Sequence, residues 1–237
     1  MTSNDNIDNI DNLLIDRRGR TENSNMTANY YIKNVMKNTP YKIQLSNLIK
    51  HVHIPKKAII KGILGNIAME HNTSKSNILG NSGYIIVEDD LHIPIITETD
   101  LWYYNVKLYD IGDVISFDES YPLFEVEIGE NYIDDYIMKK AGGVYIEKHN
   151  KIHFYVPLNK FSRGYIILGN QTQDSIELSA FKIPFGKALY VNKNVIHNDC
   201  FLIGKYNVIY TNTTTYNTVL LVNKKKGPIK VTIGDEN

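Results

Sequence analysis

Short apolar runs separated by turn-forming residues constrain the fold of this chain more than any other feature. From Tyr30 onward the runs are about four to eight residues long, a length and spacing typical of β-strands. Segments rich in Gly, Asn, Ser and Pro separate them, as at 80–83, 169–170 and 227–228. Many short strands and few helices predict an all-β fold, a sandwich or barrel with few short helices.

The predicted strands are apolar or alternate between apolar and polar residues. They are 41–45, 58–63, 84–87, 102–108, 123–128, 144–148, 153–156, 165–168, 175–181, 188–191, 207–210, 219–222 and 229–233. Helical periodicity is weak, and the best candidates for short helices are 45–51 and 131–141.

The first 29 residues differ in composition from the rest of the chain. They contain an Asp-Asn-Ile repeat at 5–12 and a polar segment at 21–25, which bury too little apolar surface to offset the entropy lost on ordering. We predict a disordered N-terminal arm over 1–29, with a helical turn around Leu13 that docks on a partner as the alternative. Residues 30–237 are predicted to form a single β domain, which this length allows.

Charge and cysteine content argue against several classes of protein. The chain has 26 basic and 26 acidic side chains, so it lacks the electrostatic footprint of a nucleic-acid-binding protein. A single cysteine, Cys200, cannot form an intrachain disulfide. No signal-peptide pattern is present, and no apolar segment approaches the length of about 18 residues that a membrane span needs. We therefore expect a cytoplasmic protein with no nucleic-acid or membrane partner.

Four side chains in the second half of the chain are candidate metal ligands. Glu147, His149 and His153 form a Glu-x-His-x3-His motif, and His197 follows 44 residues later. Three imidazoles and a carboxylate suit a divalent first-row metal such as Fe, Mn, Ni or Zn. A single histidine on a strand is more often an ordinary core or surface residue, so the metal hypothesis requires all four side chains to converge.

The length of the loop after His149 decides whether the motif can form one site. Residues two apart on a strand share a face, so Glu147 and His149 point the same way. If the motif is a β-hairpin with a three-residue loop at 150–152, His153 lies opposite His149 on that face. A two-residue loop at 150–151 would turn His153 to the other face. The sequence leaves both loops open.

The motif resembles those of the cupin superfamily, whose first motif places His-x-His and then Glu on a hairpin. Glu147, His149 and His153 have similar spacing with the acid and one imidazole exchanged. Residues 192–197 resemble the second motif, Pro-x-Gly-x-x-His, with Asn in place of Pro and Gly. Asn194 suits a left-handed turn nearly as well as Gly. The resemblance covers about 103–222 and implies a jelly-roll β-barrel.

This resemblance implies a metal-dependent enzyme acting on a small polar metabolite, a sugar or a carboxylate, as an isomerase or epimerase, a lyase or an oxygenase. Glu147 would be a ligand or a general base. Tyr145 and Tyr155, which the three-residue loop places on the same face, would stabilise a developing oxyanion. The alternative is a non-catalytic jelly-roll binding or structural assembly protein, of the kind found in viral coats, for which the extra strands from Tyr30 to Tyr104 could form a homodimer face.

Other chemistry-bearing residues have plainer interpretations. His51 and His53 form a His-x-His pair with no acid at the needed distance, and we interpret them as an ordinary strand or loop pair. His92 is interpreted as a loop histidine. Cys200 is predicted to be a small buried apolar residue rather than a nucleophile. Gly186 is interpreted as a turn former, as is Pro184.

Overall fold

A computed structural model describes residues 22–27, 54–64, 83–88, 90–117, 119–209 and 216–234. These residues form sixteen strands and two short helices, which confirms the predicted all-β, jelly-roll-like fold. Two seven-stranded sheets contain most of the strands, and a two-stranded sheet lies beside them. None of the helices in the described segments is long and apolar enough to cross a membrane.

The first sheet is antiparallel, and its strands run in the order β1-β6-β14-β8-β12-β5, with β9 paired to β14. Their bounds are β1 Glu22–Thr27, β5 Val106–Asp110, β6 Pro122–Ile128, β8 His153–Pro157, β9 Arg163–Gly164, β12 Lys187–Val191 and β14 Leu202–Ile209.

The second sheet has the order β2-β11-β10-β13-β7-β15-β3 and is antiparallel except for the β15–β3 pair. Its strands are β2 Ala58–Lys61, β3 Tyr84–Ile86, β7 Tyr145–His149, β10 Ile166–Gln171, β11 Ser175–Phe181, β13 Ile196–Asn198 and β15 Tyr216–Val222. The small sheet pairs β4 (Asp90–Ile93) with β16 (Lys230–Ile233) in parallel.

Apolar side chains cover both faces of each large sheet. Tyr155 of the first sheet and Leu168 of the second belong to one buried cluster, which fills the space between the sheets. The neighbouring residues in sequence point the other way: Phe154 joins a cluster on the outer face of the first sheet, and Ile167 joins one on the outer face of the second. Buried residues on both faces explain why several strands are almost continuously apolar.

The segment predicted as strand 102–108 begins as a helix. Glu98–Tyr104 forms a 3-10 helix, and β5 starts only at Val106. A capping box at Thr97 and Asp100 starts this helix, because the backbone N–H of Thr97 donates to Asp100 Oδ2 at 2.9 Å. The capping residues precede the apolar run, so a search for strand patterns alone missed them.

Other predicted elements differ in extent from those observed. The predicted helix 131–141 is reduced to the π-helix Ile133–Ile137. The predicted strand 41–45 and helix 45–51 lie outside the described residues, as do His51 and His53. Strand β1 was not predicted, and it lies inside the segment 1–29 that was expected to be a disordered arm. The rest of that segment lies outside the described residues.

The predicted hairpin around residues 150–152 is wrong. β7 pairs with β13 and β15 of the second sheet, whereas β8 pairs with β12 and β14 of the first. Residues 150–152 therefore cross from one sheet to the other. Ile146 and Phe154, on the faces opposite the motif, are buried in different outer clusters. A hairpin would have placed both side chains on one face of one sheet, where only one of these clusters is available.

Candidate metal centre

The structure brings Glu147, His149, His153 and His197 together between the two large sheets. One donor atom from each of the four side chains lies within 4.8 Å of the others. The Nε2 atoms of His149 and His153 are 2.7 Å apart, and His197 Nε2 is 3.6 Å from Glu147 Oε1. The group is therefore compact enough to bind a metal ion.

Three of the four side chains come from the second sheet. His197 on β13 is directly opposite Glu147 on β7, and Thr218 on β15 flanks Glu147 on the other side. His149 lies two residues further along β7, on the same face as Glu147. His153 enters from the first sheet at the start of β8. The crossover thus gives the shared site that the three-residue hairpin loop was expected to give, but through two facing sheets.

Asn194 shapes the turn before His197. Its backbone has φ of 64°, in the left-handed region, which Asn tolerates better than most residues. Its N–H donates to the carbonyl of His149 at 2.7 Å, which ties the turn to the end of β7. The left-handed turn predicted for this position is therefore confirmed.

Backbone carbonyls orient two of the imidazoles. His153 Nδ1 lies 2.9 Å from the Ile209 carbonyl, and His197 Nδ1 lies 2.9 Å from the Val195 carbonyl. A carbonyl only accepts, so each Nδ1 carries the hydrogen, and in the neutral ring Nε2 presents its lone pair. This is the outer hydrogen bond that typically fixes a metal-binding histidine.

His149 has the opposite arrangement. The backbone N–H of Lys151 donates to its Nδ1 at 3.3 Å, so the proton of the neutral ring lies on Nε2 and points toward His153. Ligation through Nε2 would move that proton to Nδ1 and break the contact with Lys151. In this tautomer His149 Nε2 donates to His153 Nε2. His149 would have to change tautomer before it could bind a metal through Nε2.

The chemistry of the four side chains fits a metal ion. His197 is 1% exposed, and its Nε2 has no hydrogen-bond partner among the described residues. An unpaired buried polar atom is costly, and a metal would satisfy it. Glu147 supplies negative charge, with one oxygen accepting from Thr218 Oγ1 at 3.2 Å. Three imidazoles and a carboxylate suit a borderline transition metal better than Ca²⁺ or Mg²⁺.

Tyr145 and Tyr155 lie on the predicted face, but their hydroxyls have a partner that the sequence analysis missed. Tyr155 donates to Asp199 Oδ2 at 2.9 Å, and Tyr145 donates to Asp199 Oδ1 at 3.4 Å. Each hydroxyl has one proton, so neither can stabilise an oxyanion while it donates to Asp199. Asp199 lies just past the end of β13, so no strand pattern in the sequence pointed to this contact.

The remaining candidates lie elsewhere. Cys200 is buried, in agreement with its interpretation as a small apolar residue. His92 lies on β4 rather than in a loop, and its Nδ1 is 3.1 Å from Thr232 Oγ1. Gly186, after Pro184, has φ of 87° in the turn before β12, as expected for a turn former.

The chain matches no protein-family model, and a search of curated proteins finds no match. What the structure defines is a class: an all-β, jelly-roll-like protein with a His₃Glu cluster between its sheets that could bind a metal ion.

Proposed function

We propose that this chain is a metal-dependent, cupin-like enzyme that binds a divalent Fe, Mn, Ni or Zn ion through Glu147, His149, His153 and His197. The convergence of these four side chains from two facing sheets supports the proposal most directly. The hydrogen bonds that direct Nε2 of His153 and His197 into the cluster support it independently.

A small polar metabolite, a sugar or a carboxylate, is the proposed substrate. A metal held by these residues would polarise a substrate oxygen or activate a bound water. Glu147 has a more exposed side chain than His197, 18% against 2%, so it is the more accessible of the two. Thr218 Oγ1 donates to one oxygen of Glu147, and the other lies 3.6 Å from His197 Nε2, where it would either bind the metal or act as a general base, but not both at once. The three imidazoles of the cluster are buried, which favours a small ligand.

Metal content of the purified protein tests the proposal. We expect about one equivalent of transition metal per chain by mass spectrometry, and its loss in His153→Ala or His197→Ala. His92→Ala is the matched control, because it removes a strand histidine outside the cluster. Absence of stoichiometric metal after growth and reconstitution with Fe, Mn, Ni and Zn would refute the proposal.

The same geometry supports a second candidate, a non-catalytic protein whose metal crosslinks the two sheets. His153 belongs to the first sheet and the other three side chains to the second. Azide binding to the Co²⁺-substituted protein separates the two candidates. A shift of the visible absorption bands shows an exchangeable coordination position, as the enzyme requires. An unchanged spectrum at saturating azide would favour the crosslink.

A further inference from the structure

Asp199 is a buried carboxylate close to the candidate ligands, and the proposed ligation gives it no role. It is 1% exposed, and its two oxygens accept hydrogen bonds from Tyr145 and Tyr155, which are themselves 3% and 0% exposed. We propose that Asp199 is a positioning residue that compensates the charge of the bound metal and sets the preference of the site for a divalent ion.

Hydrogen bonds place Asp199 next to two tyrosines that share strands with the candidate ligands. It lies two residues after His197, directly after the end of β13, and its carboxylate accepts from the hydroxyls of Tyr145 and Tyr155. Tyr155 likewise follows His153 by two residues on β8, with the two rings 5.5 Å apart. Tyr145 precedes Glu147 by two residues on β7. The three residues that meet here are thus each two residues along the chain from a candidate ligand.

The net charge of the cluster gives Asp199 its role. Three neutral imidazoles and the Glu147 carboxylate leave one positive charge uncompensated when a divalent ion is bound. Uncompensated charge is costly between apolar sheets, where the dielectric is low. The Asp199 carboxylate, which accepts from the Tyr145 and Tyr155 hydroxyls, brings the sum to zero. For a monovalent ion, the Glu147 carboxylate alone would bring the net charge to zero.

This inference rests on the proposed metal site, and copper tests both separately. Cu²⁺ binds nitrogen and oxygen ligands more tightly than the other first-row divalent ions do, and Cu⁺ binds as its monovalent counterpart. The parent protein carries Cys200→Ser, so that the thiol does not bind Cu⁺. Dissociation constants for both ions are measured by competition with chelators, Cu⁺ under anaerobic conditions.

Asp199→Asn removes the charge and keeps the shape of the side chain. We expect a loss of about 10- to 100-fold in Cu²⁺ affinity, in the range for residues beyond the ligands. Because Coulomb energy is linear in charge, the loss for Cu⁺ should be near the square root of this, about 3- to 10-fold. Glu177→Gln is the control, since it neutralises another buried carboxylate that accepts from a tyrosine, on β11.

Equal losses for the two ions, or no loss, would overturn the role of Asp199 and leave the metal site intact. If the parent protein does not bind Cu²⁺, or if His153→Ala leaves its Cu²⁺ affinity unchanged, both proposals fail. If Asp199→Asn does not fold, Tyr155→Phe takes its place, because it removes one of the two hydroxyl donors to Asp199 and keeps the carboxylate. The loss should then be smaller and again greater for Cu²⁺ than for Cu⁺.

Discussion

At the scale of single residues, two positions without reactive groups hold His197 in place. Gly169 on β10 lies opposite Ile196 of β13, the neighbour of His197. A Cβ at Gly169 would lie 2.7 Å from the Ile196 side chain and 3.0 Å from Leu178. Asn194 forms the left-handed turn before β13. The candidate ligand therefore depends on close packing on one side and on backbone conformation on the other.

Gly169→Ala should destabilise the protein by about 1–3 kcal/mol, because the added methyl group has no room between packed side chains. Chemical denaturation measures the change. Gly129→Ala is the matched control, since a Cβ there meets nothing within 4 Å and its φ is not in the left-handed region. Equal stability of the two variants would contradict the close approach of β10 and β13.

Asn194→Val should cost about 1–2 kcal/mol of folding free energy, because a β-branched residue is strained in the left-handed conformation. Asn194→Gly should be neutral or slightly stabilising in the same denaturation experiment. If both variants were equally destabilised, the side chain of Asn194 rather than its backbone conformation would be what matters.

At the scale of elements, an ion pair ties the segment before β2 to β11 and to the 3-10 helix. Lys57 Nζ lies 2.6 Å from Glu177 Oε1 and donates to the Tyr103 hydroxyl at 2.9 Å, while Tyr103 donates to Glu177. Burial raises the pKa of Glu177, but the hydrogen bonds from Lys57 and Tyr103 outweigh it and leave that pKa below its usual value. Burial lowers the pKa of Lys57, and the same contacts more than reverse this.

This pair should make stability depend on pH in a defined direction. The pKa of Glu177 is lower in the folded state, so its contribution is present above its unfolded pKa of about 4.3 and is lost as the pH falls through the folded value. As the pH falls from about 5 to about 3, the Glu177→Gln variant should therefore lose less folding free energy than the unsubstituted protein. The side chain of Lys57 keeps 18% of its surface exposed and that of Glu177 keeps 10%, so solvent screens the pair in part and we expect a difference of no more than about 1 kcal/mol.

Urea midpoints measured across that pH range test the prediction, with Asp135→Asn as the control because its ion pair with Lys139 is exposed. Parallel pH profiles for Glu177→Gln and the parent protein would show that the pair does not contribute. At high pH the sign reverses: the contribution of Lys57, whose pKa is raised, is present below its unfolded pKa and is lost as the pH rises through the folded value.

At the scale of the whole molecule, the metal cluster lies where the two sheets face each other. His153 is the only one of the four side chains on the first sheet, so a bound ion would connect the sheets directly. Binding to the folded state alone adds about 2.7 kcal/mol of stability at a free metal concentration of 100 times Kd. For a chain of this size, that corresponds to a rise in Tm of roughly 5–10 °C.

We expect this rise in calorimetry with saturating metal and its reversal by a chelator. His153→Ala should abolish the rise, since it removes the contribution of the first sheet, whereas His92→Ala should retain it. A rise that persists in His153→Ala would place the stabilising metal somewhere else on the molecule.

Much of the strand content could be predicted, because a strand leaves a local pattern. Ser175–Phe181 has the predicted bounds, and β6 and β12 differ from the prediction by one residue at their starts. The start of β5 was misplaced because its apolar run is shared with a helix whose capping residues lie upstream. The left-handed turn at Asn194 was predictable from the intrinsic preference of Asn.

Sequence alone determined the all-β class and the four side chains of the candidate site, because residue type and strand period are local properties. Only the tertiary structure decided how those side chains meet. Local pattern does not distinguish a hairpin from a crossover, and the choice followed from burying Ile146 and Phe154 in separate clusters. The same packing placed His153 across from His149 and brought Asp199 to Tyr145 and Tyr155. These are long-range contacts, and their energies depend on both sheets at once.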